Sequence, residues 1–135
     1  TAPELFKEDL EGIRGRAEKA GRRAGDIRNG LLIYTLAGKD RAAVEKLFEP
    51  LAIPTMLWVN CRSLRRLGYP VPRSPAGAPR EALKKMAAYG AHQDVAQSLG
   101  AFIDAGVEHF VLGVLPPERT EEQLQVFADE VLPLL

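Results

Sequence analysis

Few side chains in this sequence have the type and spacing that chemistry needs. The two histidines, His92 and His109, and the single cysteine, Cys61, are too widely spaced to form a zinc site. Arg62 beside Cys61 favours a thiolate, but no histidine lies near it in sequence to act as base, and no role is assigned to it. His92 opens an amphipathic run. An imidazole there suits proton transfer near neutrality, or it is a surface residue at a helix start. His109 reads as structural. Trp58 and Tyr69 lie in a proline-rich stretch and offer flat apolar surface. The sequence has no glycine-rich dinucleotide fingerprint, no P-loop and no G-x-S-x-G elbow. Glu121 to Gln123 opens a helix and suits its positive end, not a catalytic carboxylate pair.

The elements that must position these residues follow from periodicity. Phe6, Leu10, Ile13, Ala17 and Ala20 repeat at helical spacing, which predicts a helix over residues 2–20 ended by Gly21. Leu31 to Tyr34 is a continuous apolar run, read as a buried parallel strand within 27–36. Asp40 is placed to cap a helix through Val44, Leu47 and Phe48, with Pro50 and Pro54 breaking it. Residues 53–79, with five prolines, read as an irregular excursion of the length that lines a site or is disordered. A helix is expected over 80–89, and a turn at Gly90-Ala91. Val95, Leu99, Phe102 and Ile103 share a helical face, and Asp104-Ala105-Gly106 ends it with Gly106 in the left-handed conformation. A second buried strand is expected within 107–115, stopped by Pro116-Pro117. A closing helix from Thr120 would bury Leu124, Phe127, Ala128, Val131 and Leu135.

The totals bound the answer. One hundred and thirty-five residues suit one domain. Eighteen basic against eighteen acidic residues give zero net charge, which argues against a general nucleic-acid binder. No apolar run reaches the roughly 18 residues that span a bilayer, no signal-peptide pattern opens the chain, and one cysteine excludes an internal disulfide framework. A reducing, cytoplasmic setting is the expectation. Two strands buried on both faces need neighbours on both edges, and two strands are too few for a stable sheet. The expectation is therefore an incomplete α/β unit that borrows the rest of its sheet.

The stretch DAGVEHFVLGV, followed by EEQLQVFADEVLPLL, resembles the C-terminal end of the luciferase-like monooxygenase family, which includes bacterial luciferase-type flavin enzymes and deazaflavin-dependent methylenetetrahydromethanopterin reductase-like enzymes. IRGRAEKAGRRAGDI and LRRLGYPVP resemble upstream segments more loosely, the second without the family's histidine. GAHQDV is similar to the family's G-[ST]-P-x-[ED]-V helix start. Here Ala91 stands for the capping hydroxyl and His92 for the proline. The change removes about 0.5–2 kcal/mol of capping and leaves an anion site at that terminus without its hydroxyl.

The resemblance implies the C-terminal part of a (β/α)8 barrel, about two strands with their helices, whose complete form takes about 250 residues. It implies a flavin- or deazaflavin-dependent oxidoreductase or monooxygenase, inactive as this segment alone, with FMN or a deazaflavin at the carboxyl ends of the strands. Those ends are then Tyr34-Thr35-Leu36 and Leu112-Gly113-Val114. Tyr34, Thr35, Leu112 and Gly113 become the cofactor-binding candidates, and Trp58 and Tyr69 the substrate-pocket wall. Each also has a plainer structural reading, as core, turn or a cluster under a loop. The implied partners are the remainder of the barrel or another chain, with a homo-oligomer expected and neither nucleic acid nor membrane. Two rivals stand beside this reading: a non-catalytic assembly module made of a degenerate barrel fragment, and a small α/β binding domain.

Overall fold

The computed structural model describes all 135 residues, Thr1–Leu135. Its elements are α1 (Pro3–Lys19), β1 (Leu31–Gly38), α2 (Arg41–Val59), α3 (Cys61–Arg66), α4 (Arg80–Lys84), β2 (Ala88–Ala91), α5 (His92–Asp104), β3 (Phe110–Val114) and α6 (Thr120–Val126). After α6 the chain continues through a wider helical turn, Phe127–Val131, and a tight one, Leu132–Leu134. No helix is long and apolar enough to cross a membrane.

The three strands form one parallel sheet in the order β2-β1-β3. For β1 this corrects the expected shortage of neighbours, since it is paired on both edges within the chain, while β3 is paired with β1 alone. The additional strand is Ala88–Ala91, where a helix ending at Tyr89 and a turn were expected. The two strands expected from the sequence, β1 and β3, are parallel neighbours, as consecutive barrel strands are, and β2 is added on the far edge of β1.

The order explains the layers. The chain leaves β1 for one edge and then crosses to the other. Right-handed crossovers in opposite directions place their helices on opposite faces. Side chains alternate along β1. Leu36 meets Val44, Phe48 and Met56 of α2 and Leu83 of α4. Ile33 and Ala37 meet Val95, Leu99 and Phe102 of α5, with Phe127 and Val131 beyond α6.

α2 runs through both Pro50 and Pro54, so the irregular stretch is confined to 67–79 and does not begin at 53. A proline inside a helix costs about 3 kcal/mol, because it leaves the carbonyl four residues back unpaired. Against this, α2 buries Ile53, Met56 and Leu57, each contributing on the order of 2 kcal/mol. The opening of α2 is as expected: Asp40 Oδ1 accepts from the Ala42 and Ala43 N–H groups at 2.9 and 3.3 Å. Gly106, with φ of +98°, ends α5 as expected.

The closing segment is rotated from its expected face. Gln123, Phe127 and Val131 are buried, and Leu124 is exposed. The reason lies on β1. Ala37 is beyond the last pair that β1 makes with β3, Thr35 with Val114, and would face that edge unpaired. The Ala37 N–H donates to Gln123 Oε1 at 2.8 Å, and Gln123 Nε2 donates to the Ala37 carbonyl at 3.0 Å. The side-chain amide thus stands in for the missing strand.

Candidate functional site

The four cofactor candidates do not converge. β1 extends to Gly38, two residues past Leu36, so its carboxyl end is Ala37-Gly38. Thr35 is fully buried, and its hydroxyl donates to the Ala88 carbonyl at 2.6 Å, tying β1 to β2. Leu112 packs into the α5 core. Tyr34 and Gly113 share the opposite face, but the ring fills the space at the glycine: a Cβ there would lie 2.9 Å from Tyr34 Cδ1. Trp58 is carried about 26 Å along α2 from Arg41, toward the other end of the sheet. There it lines a groove with Cys61, Arg65 and Pro72. Tyr69 packs against the α2 core.

What the fold does gather at the strand ends is a different set. In an open parallel sheet, ligands bind beyond the carboxyl ends of the strands, where the chain order reverses. Here that point is the β1/β3 side. A groove of about 490 Å³ lies there, lined by Gly38 at the end of β1, Lys39 and Asp40 just after it, His92 after β2, and Arg119, Glu122 and Glu130 after β3. Its volume suits a small-molecule ligand. Val44, Leu47 and Val126 give it an apolar wall. Gly38 allows the close approach of α2: a Cβ at this position would sit 2.8 Å from Val44 Cγ2. A hollow of about 530 Å³ lies elsewhere, between Pro50, Pro54 and Pro75. It touches no strand end, and its Glu49 and Arg80 are paired with each other, which leaves less free charge there for a ligand.

The groove's side chains set Lys39 and Arg119 against Asp40, Glu122 and Glu130, so any attraction for an anion rests on helix termini and not on net side-chain charge. Two helices, α2 and α5, present their amino termini beside it, and such termini attract negative charge. Ala91 gives α5 no capping side chain. Asp94 Oδ2 accepts from the Ala91 N–H at 2.8 Å and leaves the rest of the first turn open. The same carboxylate is gripped by Arg41, with Nε at 2.7 Å, so the first turns of α2 and α5 are clamped together. Lys39 makes no ion pair. Arg119 Nε lies 3.5 Å from Glu122 and His92 Nδ1 lies 3.7 Å from Glu130. Sequence reasoning named His92 but missed Lys39, Arg119 and Gly38. The signal for them was the strand order, which periodicity does not encode.

Behind the groove, Tyr89 stacks on Phe48 at 4.3 Å between ring centroids and donates to Glu49 Oε1 at 3.1 Å. Burial, with Glu45 nearby, pushes its phenol up to about 12 from an ordinary 10.0. Below pH 10 the group is neutral in folded and unfolded chains alike. Above it the unfolded chain loses the proton first, so stability falls as pH rises from about 10 to about 12. Solvent screening limits the loss to about 2 kcal/mol or less. Tyr89→Phe is expected to flatten that alkaline limb of a urea-denaturation series, with little change at neutral pH. An unchanged limb would assign it to other groups.

No family model matches the sequence, and no curated protein matches it. Solved structures do match in fold. The coenzyme F420-dependent tetrahydromethanopterin reductase from Methanopyrus kandleri superposes with a TM-score of 0.74 at 16% identity, covering 98% of this chain and 43% of that one. An F420-dependent secondary alcohol dehydrogenase, solved with an F420–acetone adduct, superposes with a TM-score of 0.64 at 16% identity, covering 99% of this chain and 40% of that one. This chain therefore has the fold of a part of these two F420-dependent enzymes, and spans less than half the length of either.

Proposed function

We propose that this chain carries part of the coenzyme site of a luciferase-like, deazaflavin-dependent oxidoreductase, as one portion of a (β/α)8 barrel. The observation that carries the reading is the strand-end groove, lined by Lys39, Arg119 and, at the start of α5, His92. A deazaflavin coenzyme combines a planar ring with a phosphate-bearing tail, and the residues present fit both parts. Lys39, Arg119 and the first-turn N–H groups of α5 would hold the phosphate. Val44, Leu47 and Val126 would shield one side of the ring from water. Such a coenzyme supplies hydride chemistry when bound, and the protein's share is to position it and exclude water. The pairs Arg119–Glu122 and His92–Glu130 restrain the two side chains until an anion displaces the carboxylates. The F420-dependence of both structural relatives favours a deazaflavin over FMN. The remaining contact surface comes from outside these residues, as the 43% coverage implies.

The test is titration of the purified chain with coenzyme F420 and, separately, FMN, followed by fluorescence and equilibrium dialysis. The expected result is F420 binding that weakens with salt and falls about five- to tenfold in each of Lys39→Ala and Arg119→Ala. F420 binding that neither salt nor the two substitutions weaken would refute the proposal. The rival, a non-catalytic assembly module, draws support from Thr35, Tyr34 and Gly113, whose polar groups or space are spent on packing. It predicts that neither coenzyme binds.

A further inference from the structure

At the carboxyl end of α2 the fold builds a separate groove of about 490 Å³, and we propose that it is a binding site for a flat aromatic carboxylate. Its lining comes from one continuous stretch of chain: Pro54 and Trp58 of α2, Cys61 and Arg65 of α3, and residues 71–75 of the following loop. No strand residue takes part, so the groove needs nothing from the rest of a barrel. It lies on the flank of α2 turned toward α4, because Pro54 and Pro75 also line the hollow where Glu49 meets Arg80. α4 leads into β2, on the opposite side of β1 from β3.

Charge selects the class of ligand. Arg65 and Arg73 line this groove, and no acidic side chain does. The strand-end groove and the hollow beside Pro50 each set acids against their bases. In a chain of zero net charge, a lining of one sign is a local excess. The two guanidiniums are not engaged elsewhere: Arg66, next to Arg65, is held by Glu8 and Asp9, whereas Arg65 and Arg73 make no ion pair. The rigid fork of a guanidinium matches the two oxygens of a carboxylate. Ser74 adds a hydroxyl to the same lining.

Shape selects the body of that ligand. Trp58 is 83% exposed, although a large aromatic side chain ordinarily buries about 150–250 Å². An indole left in water beside two unpaired guanidiniums is a platform for a planar ring, which stacks on it and leaves its anionic edge to the arginines. Pro54, Pro72 and Pro75 stiffen the walls, so little conformational freedom is lost when a ligand enters. The volume is that of a small-molecule site. A protein partner takes about 20–30 residues from each side, against the ten that line this groove. Trp58 stands about 26 Å along α2 from Arg41, so the site is distinct from the strand-end groove and independent of the coenzyme reading.

The experiment titrates the chain with 2-naphthoate, followed by calorimetry and by the rate at which a thiol reagent alkylates Cys61, the only cysteine and a residue of the same groove. The expected result is saturable binding in the submillimolar range, with alkylation of Cys61 slowed severalfold at saturation. 2-Naphthamide, equally flat but uncharged, and cyclohexanecarboxylate, charged but not aromatic, should each bind about tenfold more weakly. Arg65→Gln, Arg73→Gln and Trp58→Leu, all at exposed positions, are each expected to weaken naphthoate binding about five- to tenfold with the circular dichroism unchanged. If one variant fails to fold, the other two still decide. An amide that binds as well as the carboxylate would reduce the groove to an apolar patch and overturn the proposal. No saturation up to about 10 mM, binding that leaves Cys61 unprotected, or binding indifferent to both arginine substitutions would overturn it equally.

Discussion

Gln123→Leu is expected to destabilise the fold by about 2–5 kcal/mol, on the order of 10 °C in Tm. The side chain is 1% exposed, and its amide serves both the N–H and the carbonyl of Ala37. Leucine fills the volume but leaves both backbone groups buried and unpaired, each at a cost of about 1–3 kcal/mol. A domain holds only about 5–15 kcal/mol in all, so a substantial share of the total rests on one side chain. Gln123→Glu separates the two halves of the interaction. A carboxylate accepts from Ala37 N–H but cannot donate to its carbonyl, so this variant should fall between wild type and leucine at neutral pH and recover as acid protonates it. Guanidinium denaturation at two pH values reads both effects. A leucine variant within 0.5 kcal/mol of wild type would show that the amide does not occupy the edge of β1.

The second large effect is expected at Gly90. Its φ of +129° is one that side chains rarely adopt. An added Cβ would lie 2.7 Å from Asp94 Oδ2 and 3.1 Å from Asp94 Cβ. Gly90→Ala therefore combines backbone strain of about 1–3 kcal/mol with displacement of the carboxylate that holds Ala91 N–H and Arg41. The loss should reach about 2–4 kcal/mol in chemical denaturation. Asp94→Asn keeps the shape and weakens only the clamp, so it should cost less. If alanine at position 90 were neutral, the geometry of the β2–α5 junction would be different from that described.

These two positions also show where sequence reasoning runs out. α1, α5, β1 and β3 were legible because each carries its own periodicity, and Asp40 and Gly106 because caps are local chemistry. β2 was not. Ala88-Tyr89-Gly90-Ala91 has one residue with strand preference, and its extended form is imposed by pairing with β1 and by the Thr35 hydroxyl, 53 positions away. The prolines of α2 pointed to a break that burial of Ile53, Met56 and Leu57 overrides. Gln123 looked like the polar opening of a helix, and nothing near it in sequence indicates an acceptor 86 residues upstream. The site suffered most. Placing the end of β1 two residues early directed attention to Thr35, and the groove needed the strand order before Lys39 and Arg119 could be joined to His92.

That order also bears on how the chain comes to be folded during synthesis. The middle strand of the sheet leaves the ribosome first, and both of its flanking strands are made later, β2 after some fifty further residues and β3 after more than seventy. Until then the run Leu31–Leu36 is an extended, uncharged segment with two open ladders, the kind that joins neighbouring nascent chains. Of the helices made before β2, α2 is the one that packs on β1 in the finished molecule, so its early docking is the local means of shelter open to that strand.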